Sequence, residues 1–134
     1  SVLPTLDHSY NMGGGNMYSS ARDLAVFGGQ FLAPGFLSDN VFKSIYKTHF
    51  TQDNKPSYFS DGWLMTGLAA EQRFLVIGGS YPGTLSQLLV FPDYGVAVAW
   101  VSNTWGKNGG HSFSPKGSFM SFATDLGNIL SGSQ

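Results

Sequence analysis

The chain has 134 residues and no cysteine. That absence excludes disulfide frameworks, thiolate metal sites and cysteine nucleophiles together. Charge is scarce too: charged residues make up 11% of the chain, under half of the ~25% of an average domain. A single glutamate, Glu71, accompanies seven aspartates, five lysines and two arginines. The net charge of −1 leaves no basic footprint, which argues against nucleic acid as a partner. Low net charge with 42% hydrophobic residues also excludes the usual disordered class. No apolar run approaches the roughly 18 residues that a membrane-spanning helix needs. What is present is glycine (18 residues), serine and aromatics (15%). A surface rich in these and poor in Lys and Glu is commoner in exported proteins, so an extracytoplasmic or secreted location is expected. The length suits one domain with one core. The chain opens at Ser1 rather than Met, as a processed or truncated product would.

The first fifteen residues read as loop, with Pro4, Asn11 and the triplet Gly13-Gly14-Gly15. Ser20 with Asp23 resembles a capping box. Leu24, Phe27, Phe31 and Leu32 then recur at helical spacing until Ala33-Pro34-Gly35. Ser38-Asp39 caps a second short helix with a stripe of Val41, Phe42, Ile45 and Tyr46. Thr51 to Ser57 is polar and turn-rich. The texture changes near Tyr58. Gly62-Trp63-Leu64-Met65 reads as a strand, and Arg73 to Ile77 is an apolar run expected to end at Gly78-Gly79. Gln87 to Phe91 and Val96 to Val101 are further strands, joined by the turn Pro92-Asp93-Tyr94-Gly95. The expectation is an antiparallel meander of three strands, covered on both faces because its strands are continuously apolar. Thr104 to Pro115 reads as loop. Phe119, Phe122, Ala123, Leu126, Ile129 and Leu130 give a closing amphipathic helix.

Several local patterns have a plainer explanation than chemistry. Ser44-Ile45-Tyr46-Lys47 fits Ser-x-x-Lys, in which a lysine one helical turn on activates a serine. It lies inside a short amphipathic helix beside a polar loop, which is not where a nucleophile at a cleft belongs. Ser38-Asp39-Asn40 copies a second motif of the same enzymes, yet serves already as a helix cap. His8, His49 and His111 are scattered without an i, i+4 pair, so no metal site is expected. Glu71 is alone in a turn and Asp93 belongs to the Pro-Asp-Tyr-Gly turn, which leaves no catalytic carboxylate pair. The stretch Gly78-Gly79-Ser80-Tyr81-Pro82-Gly83 is different. Glycines at a strand end admit close approach of a ligand or backbone, and an exposed amide there can donate to a developing oxyanion. A Gly-rich hairpin turn is the competing reading.

Two segments together carry a family resemblance. Gly13-Gly14-Gly15 through Ser19-Ser20-Ala21-Arg22-Asp23-Leu24-Ala25-Val26-Phe27 resembles the "Gly-Gly … Ser-[Ser/Thr]-Ala-x-Asp-Leu-x-x-Phe" segment of β-lactamase-related serine hydrolases. That family joins class C β-lactamases, penicillin-binding D,D-peptidases and related esterases. Gly62-Trp63 is similar to the family's Gly-Trp strand. Ile77-Gly78-Gly79-Ser80-Tyr81-Pro82-Gly83-Thr84-Leu85-Ser86, followed by Pro92-Asp93-Tyr94-Gly95 and a strand ending at Ser102-Asn103, is similar to its third motif and the hairpin after it.

The resemblance implies an α/β fold of the α+β type, the C-terminal part of a β-lactamase/transpeptidase-like fold: antiparallel strands, the C-terminal helix on one face and the first two helices on the other. It implies acyl transfer to amide or ester bonds through an acyl-serine, with no cofactor. The family's nucleophile lies upstream of any segment matched here, so residues 1–134 read as the C-terminal third of a single domain and, isolated, are expected to be inactive. Expected partners are the N-terminal part of the same protein and a small acyl or peptide substrate. Ser80 or Gly79, depending on the register of the motif, would supply a backbone oxyanion donor. Ile77, Gly78, Tyr81, Pro82, Gly83 and Thr84 would line the substrate cleft. The family's His, Lys or Trp at the head of this motif is replaced by Ile77, or by Val76 in the alternative register, and neither can bind a carboxylate. That points away from penicillin-like recognition and toward an ester or peptide substrate. A non-catalytic module gripping a peptide with Gly78–Thr84 is the alternative. Self-association is expected through unpaired edges of the Gly62 or Gln87 strand.

Overall fold

Helix α1 (Ala21–Leu32) begins at the cap that the sequence encodes. The Ser20 hydroxyl oxygen accepts from the Asp23 amide at 3.1 Å, and its proton goes to the Asp23 carboxylate at 2.8 Å. The box therefore closes side chain to side chain, and it places a negative charge at the helix amino end, where the dipole favours it. Gly35 ends the turn after the helix at φ +83°, a conformation that side chains rarely adopt. Helix α2 (Asp39–Ile45) is capped by Ser38, whose oxygen accepts from the Val41 amide at 3.4 Å. The structure is a computed structural model that describes residues 7, 9–15, 17–66, 73–81, 83–103 and 118–132.

Within those residues the strands are β1 (His49–Phe50), β2 (Pro56–Ser57), β3 (Phe59–Ser60), β4 (Trp63–Thr66), β5 (Phe74–Tyr81), β6 (Thr84–Phe91) and β7 (Val96–Ser102), followed by α3 (Ser118–Ser131). β1 and β2 form a small hairpin inside the stretch expected to be turns only. β3 to β7 form one antiparallel sheet in chain order. The sheet has five strands rather than the three expected. β3 is only two residues long, too short to show an alternation in sequence. β5 also runs through Gly78-Gly79 to Tyr81 instead of ending there, because β6 supplies a partner at every step from Val90 opposite Leu75 to Thr84 opposite Tyr81.

Strand periodicity divides the sheet's side chains into two cores. Trp63, Leu75, Leu88 and Val90 face Phe31 and Ile45, with Phe42, Tyr46, Ala97 and Ala99 packed around them. Phe74, Val76, Leu89 and Phe91 face the other way and are covered by Leu126 and Leu130 of α3. The result is three layers, α1 and α2 on one face and α3 on the other, as expected. Leu75, Leu89 and Val90 are fully buried, each contributing about 1.5–3 kcal/mol of apolar transfer. Gly28 sets the spacing of the first interface. A Cβ there would lie 2.8 Å from Ala97 Cβ and 2.9 Å from Leu88 Cδ1, so only hydrogen fits between α1 and the β6–β7 surface.

One polar tie joins distant parts of the first core. The Tyr46 hydroxyl at the end of α2 donates to Asp93 Oδ2 at 2.7 Å, with the Arg73 carbonyl oxygen a second acceptor at 3.0 Å. The Arg73 guanidinium lies over the Tyr46 ring, 5.6 Å from its centroid. Burial, then the hydrogen bond to the Asp93 carboxylate, pushes the Tyr46 phenol well above its usual range. Asp93 thus fixes the Pro92–Tyr94 3₁₀ turn, which Gly95 closes at φ +63°.

The strands expected to carry open edges are interior. β4, which follows Gly62, lies between β3 and β5, and β6, which holds Gln87, lies between β5 and β7. Among the described residues the edges are β3 and β7. Pairing partners are set across the sheet, not along the chain, and that is why local sequence misplaces them.

Candidate functional site

The segment with the resemblance occupies the second half of β5 and the turn into β6. β5 has eight residues and β4 four, and β4 pairs only with Phe74, Leu75 and Val76. Among the described residues, β5 from Ile77 to Tyr81 has a strand partner on the β6 side alone. The site is therefore an open half-strand, built by a length mismatch between neighbours. That mismatch is legible in sequence: Gly62-Trp63-Leu64-Met65 is a short apolar run beside a long one. The signal was there; the expected strand end at Gly78-Gly79 concealed it.

Antiparallel pairing turns the amide and carbonyl of successive residues to opposite edges. Of the adjacent Gly79 and Ser80, one directs its amide toward β6 and the other toward the open side. Side chains alternate as well. Ile77 and Gly79 lie on the α1 face, while Gly78 and Ser80 share the α3 face with Leu85 and Gln87. Gln87 is buried, and its side-chain oxygen accepts from Trp100 Nε1 at 3.1 Å, which anchors this end of the sheet. Gly79 is exposed, and a Cβ on it would meet Ser86 Oγ at 3.1 Å, so glycine suits its place opposite Ser86. Gly83 turns the chain at φ +83° and brings Thr84 opposite Tyr81. Pro82 lies outside the described residues. Ile77 is 45% exposed, an apolar side chain at the head of the open segment. No charged residue occurs between Ile77 and Thr84.

The structure thus brings Ile77, Gly78, Gly79, Ser80, Tyr81, Gly83 and Thr84 onto one hairpin end. Among the described residues it presents a strand edge. A recess of about 150 Å³ lies elsewhere, between α1 and α2, lined by residues such as Phe31, Pro34, Leu37 and Phe42.

The Ser-x-x-Lys match at Ser44 lies at the end of α2. The Ser44 hydroxyl donates to Asp61 Oδ2 at 3.0 Å, and the Ser44 carbonyl oxygen is 3.1 Å from His49 Nε2. Ser60 donates its hydroxyl to the Ile45 carbonyl beside it. These bonds tie the end of α2 to the β3–β4 turn, where Asp61 takes a positive φ of 43°. His8, Glu71 and His111 fall outside the described residues.

No curated protein and no solved structure matches the chain. The sequence model of the Beta-lactamase family matches residues 1–116. That span takes in the capped helix α1, the whole five-stranded sheet and its half-open strand. With the three-layer arrangement that the resemblance implied, it makes this chain a member of the β-lactamase family.

Proposed function

We propose that residues 1–134 serve acyl transfer through an acyl-serine, supplying one backbone amide to the oxyanion and one wall of the substrate cleft. The open edge of β5 from Ile77 to Tyr81 carries this reading. An amide on that edge is held by the β6 pairing on the other side, in which Gly78 lies opposite Gln87, and preorganised donors are what stabilise a developing oxyanion. The donor is Gly79 or Ser80, whichever points outward. The nucleophilic serine and its activating base come from a Ser-x-x-Lys segment in the N-terminal part of the same protein, since Ser44 lies within α2 and gives its hydroxyl proton to Asp61. The apolar Ile77 favours neutral ester or peptide substrates over those recognised by a carboxylate. Its exposure also supports a second reading, a non-catalytic module that adds a peptide to the β5 edge.

An acylating serine probe tests the proposal. The 134-residue chain is expected to stay unlabelled, and a protein joining it to the upstream segment is expected to label there. Labelling of Ser44 would overturn the assignment, and a joined protein that never labels would favour the module. Replacing Gly79 or Ser80 by proline removes one amide proton. The outward position is expected to lose about 100- to 1000-fold in acylation rate. The inward one breaks a ladder bond to β6 and reads out as lowered thermal stability.

A further inference from the structure

We infer that the recess between α1 and α2 binds a small organic ammonium ion with an apolar body about the size of a benzene ring. Buried Phe31 and half-buried Phe42 give the recess aromatic walls, their ring centroids 5.9 Å apart, and Leu32, Pro34 and Leu37 extend its apolar lining. Trp63 also packs on Phe31, at 5.0 Å between centroids, so that ring is fixed. The loop beside it is fixed as well. The Ala33 amide donates to the Gln30 carbonyl at 2.9 Å, the Phe36 amide donates to the Ala33 carbonyl at 3.2 Å, and Pro34 bridges to Leu37. The recess is therefore formed before any ligand arrives. Its volume of about 150 Å³ is that of an apolar cavity that admits benzene, so one ring fills it.

Asp39, the charged member of the lining, decides the charge of the ligand. Asp7, Asp23, Asp53, Asp61 and Asp93 each accept a hydrogen bond from a nearby donor. Among the described residues the Asp39 carboxylate has no hydrogen-bond or ion-pair partner, and Lys43 one helical turn on does not supply one. Asp125 of α3 shares that lack but does not line the recess. A ligand ammonium supplies the missing partner, and aromatic walls attract a cation in their own right. An anion would be repelled by Asp39, and a neutral ligand would leave the carboxylate unpaired. The apolar body matters equally, because a hydrated metal ion makes no use of the aromatic and aliphatic walls.

Benzylammonium, titrated into the 134-residue chain and followed by amide chemical shifts, tests this. The expected result is saturable shifts confined to residues 31–42, with a dissociation constant on the order of millimolar. Benzyl alcohol has the same shape without the charge and is expected to bind about fivefold more weakly. Asp39→Asn is expected to weaken benzylammonium by the same factor. Asp39 is exposed and Ser38 is the cap of α2, so this variant should keep the fold by circular dichroism. Shifts that do not saturate, or that scatter over the surface, overturn the inference. Equal binding of benzyl alcohol overturns it too, a result readable on the unsubstituted chain even if the variant fails to fold. Butylammonium, the head of a lysine side chain, binding more tightly than benzylammonium would assign the recess to a lysine of a partner protein and overturn it as well.

Discussion

The two halves of β5 are covalently continuous and physically opposite. Phe74, Leu75 and Val76 have strand neighbours on both edges and a helical layer on both faces, and each is almost fully buried. Three residues later Gly79 is exposed and has one strand neighbour. The first half holds the fold and the second half presents backbone. Burial and exposure are thus separated along one strand by a few residues, where β4 stops. The rigid half also positions the open one, since a strand locked at its base by two cores has little freedom at its end.

The contrast is broken most severely from the buried half. Leu75→Ala is expected to cost about 2–5 kcal/mol in urea unfolding, because the cavity lies between Phe31, Trp63 and Leu88 with little room to collapse. A cost under about 1 kcal/mol would mean that the first core is looser than its burial indicates.

Tyr46→Phe is expected to cost about 1 kcal/mol near neutral pH, the value of one hydrogen bond. Its pH dependence sharpens the comparison. The folded state raises the Tyr46 phenol above its unfolded value, so its contribution is complete below about pH 10 and declines as pH rises beyond. The stability gap between wild type and Tyr46→Phe should therefore narrow in alkali. A constant gap would show that Asp93 and burial do not act on the hydroxyl as the geometry requires.

The smallest effect belongs to the open half. Ile77→Ala should change stability by less than about 0.5 kcal/mol, as surface positions do. A large loss there would erase the distinction between the two halves.

What was legible in sequence follows the range of the interactions. The Ser20 and Ser38 caps are decided within three residues, and both were readable. The stripes of α1 and α2 and the two-faced burial of the sheet were readable from periodicity. The Tyr46–Asp93 hydrogen bond spans 47 positions and has no local mark. Pro-Asp-Tyr-Gly announced a turn, not the partner of its aspartate. The sheet's edges were misassigned for the same reason, since nothing in Gln87 or Gly62 tells whether another strand lies beyond. At the candidate site, the residues of the hairpin were identified by resemblance, and their shared placement follows from the β5–β6 register. The openness of their edge came from β4 being short.

The regular repeat of β5 limits what the strand can do unaided. Residues of like orientation recur every second position, about 6.8 Å apart at ~3.4 Å per residue. Two donors serving one oxyanion must each lie roughly 3 Å from it, hence no more than about 6 Å from each other. Successive outward amides of one straight strand are too far apart to share an oxygen. An oxyanion site built on β5 is therefore half a site, and its other half must arrive from a different stretch of backbone facing the open edge.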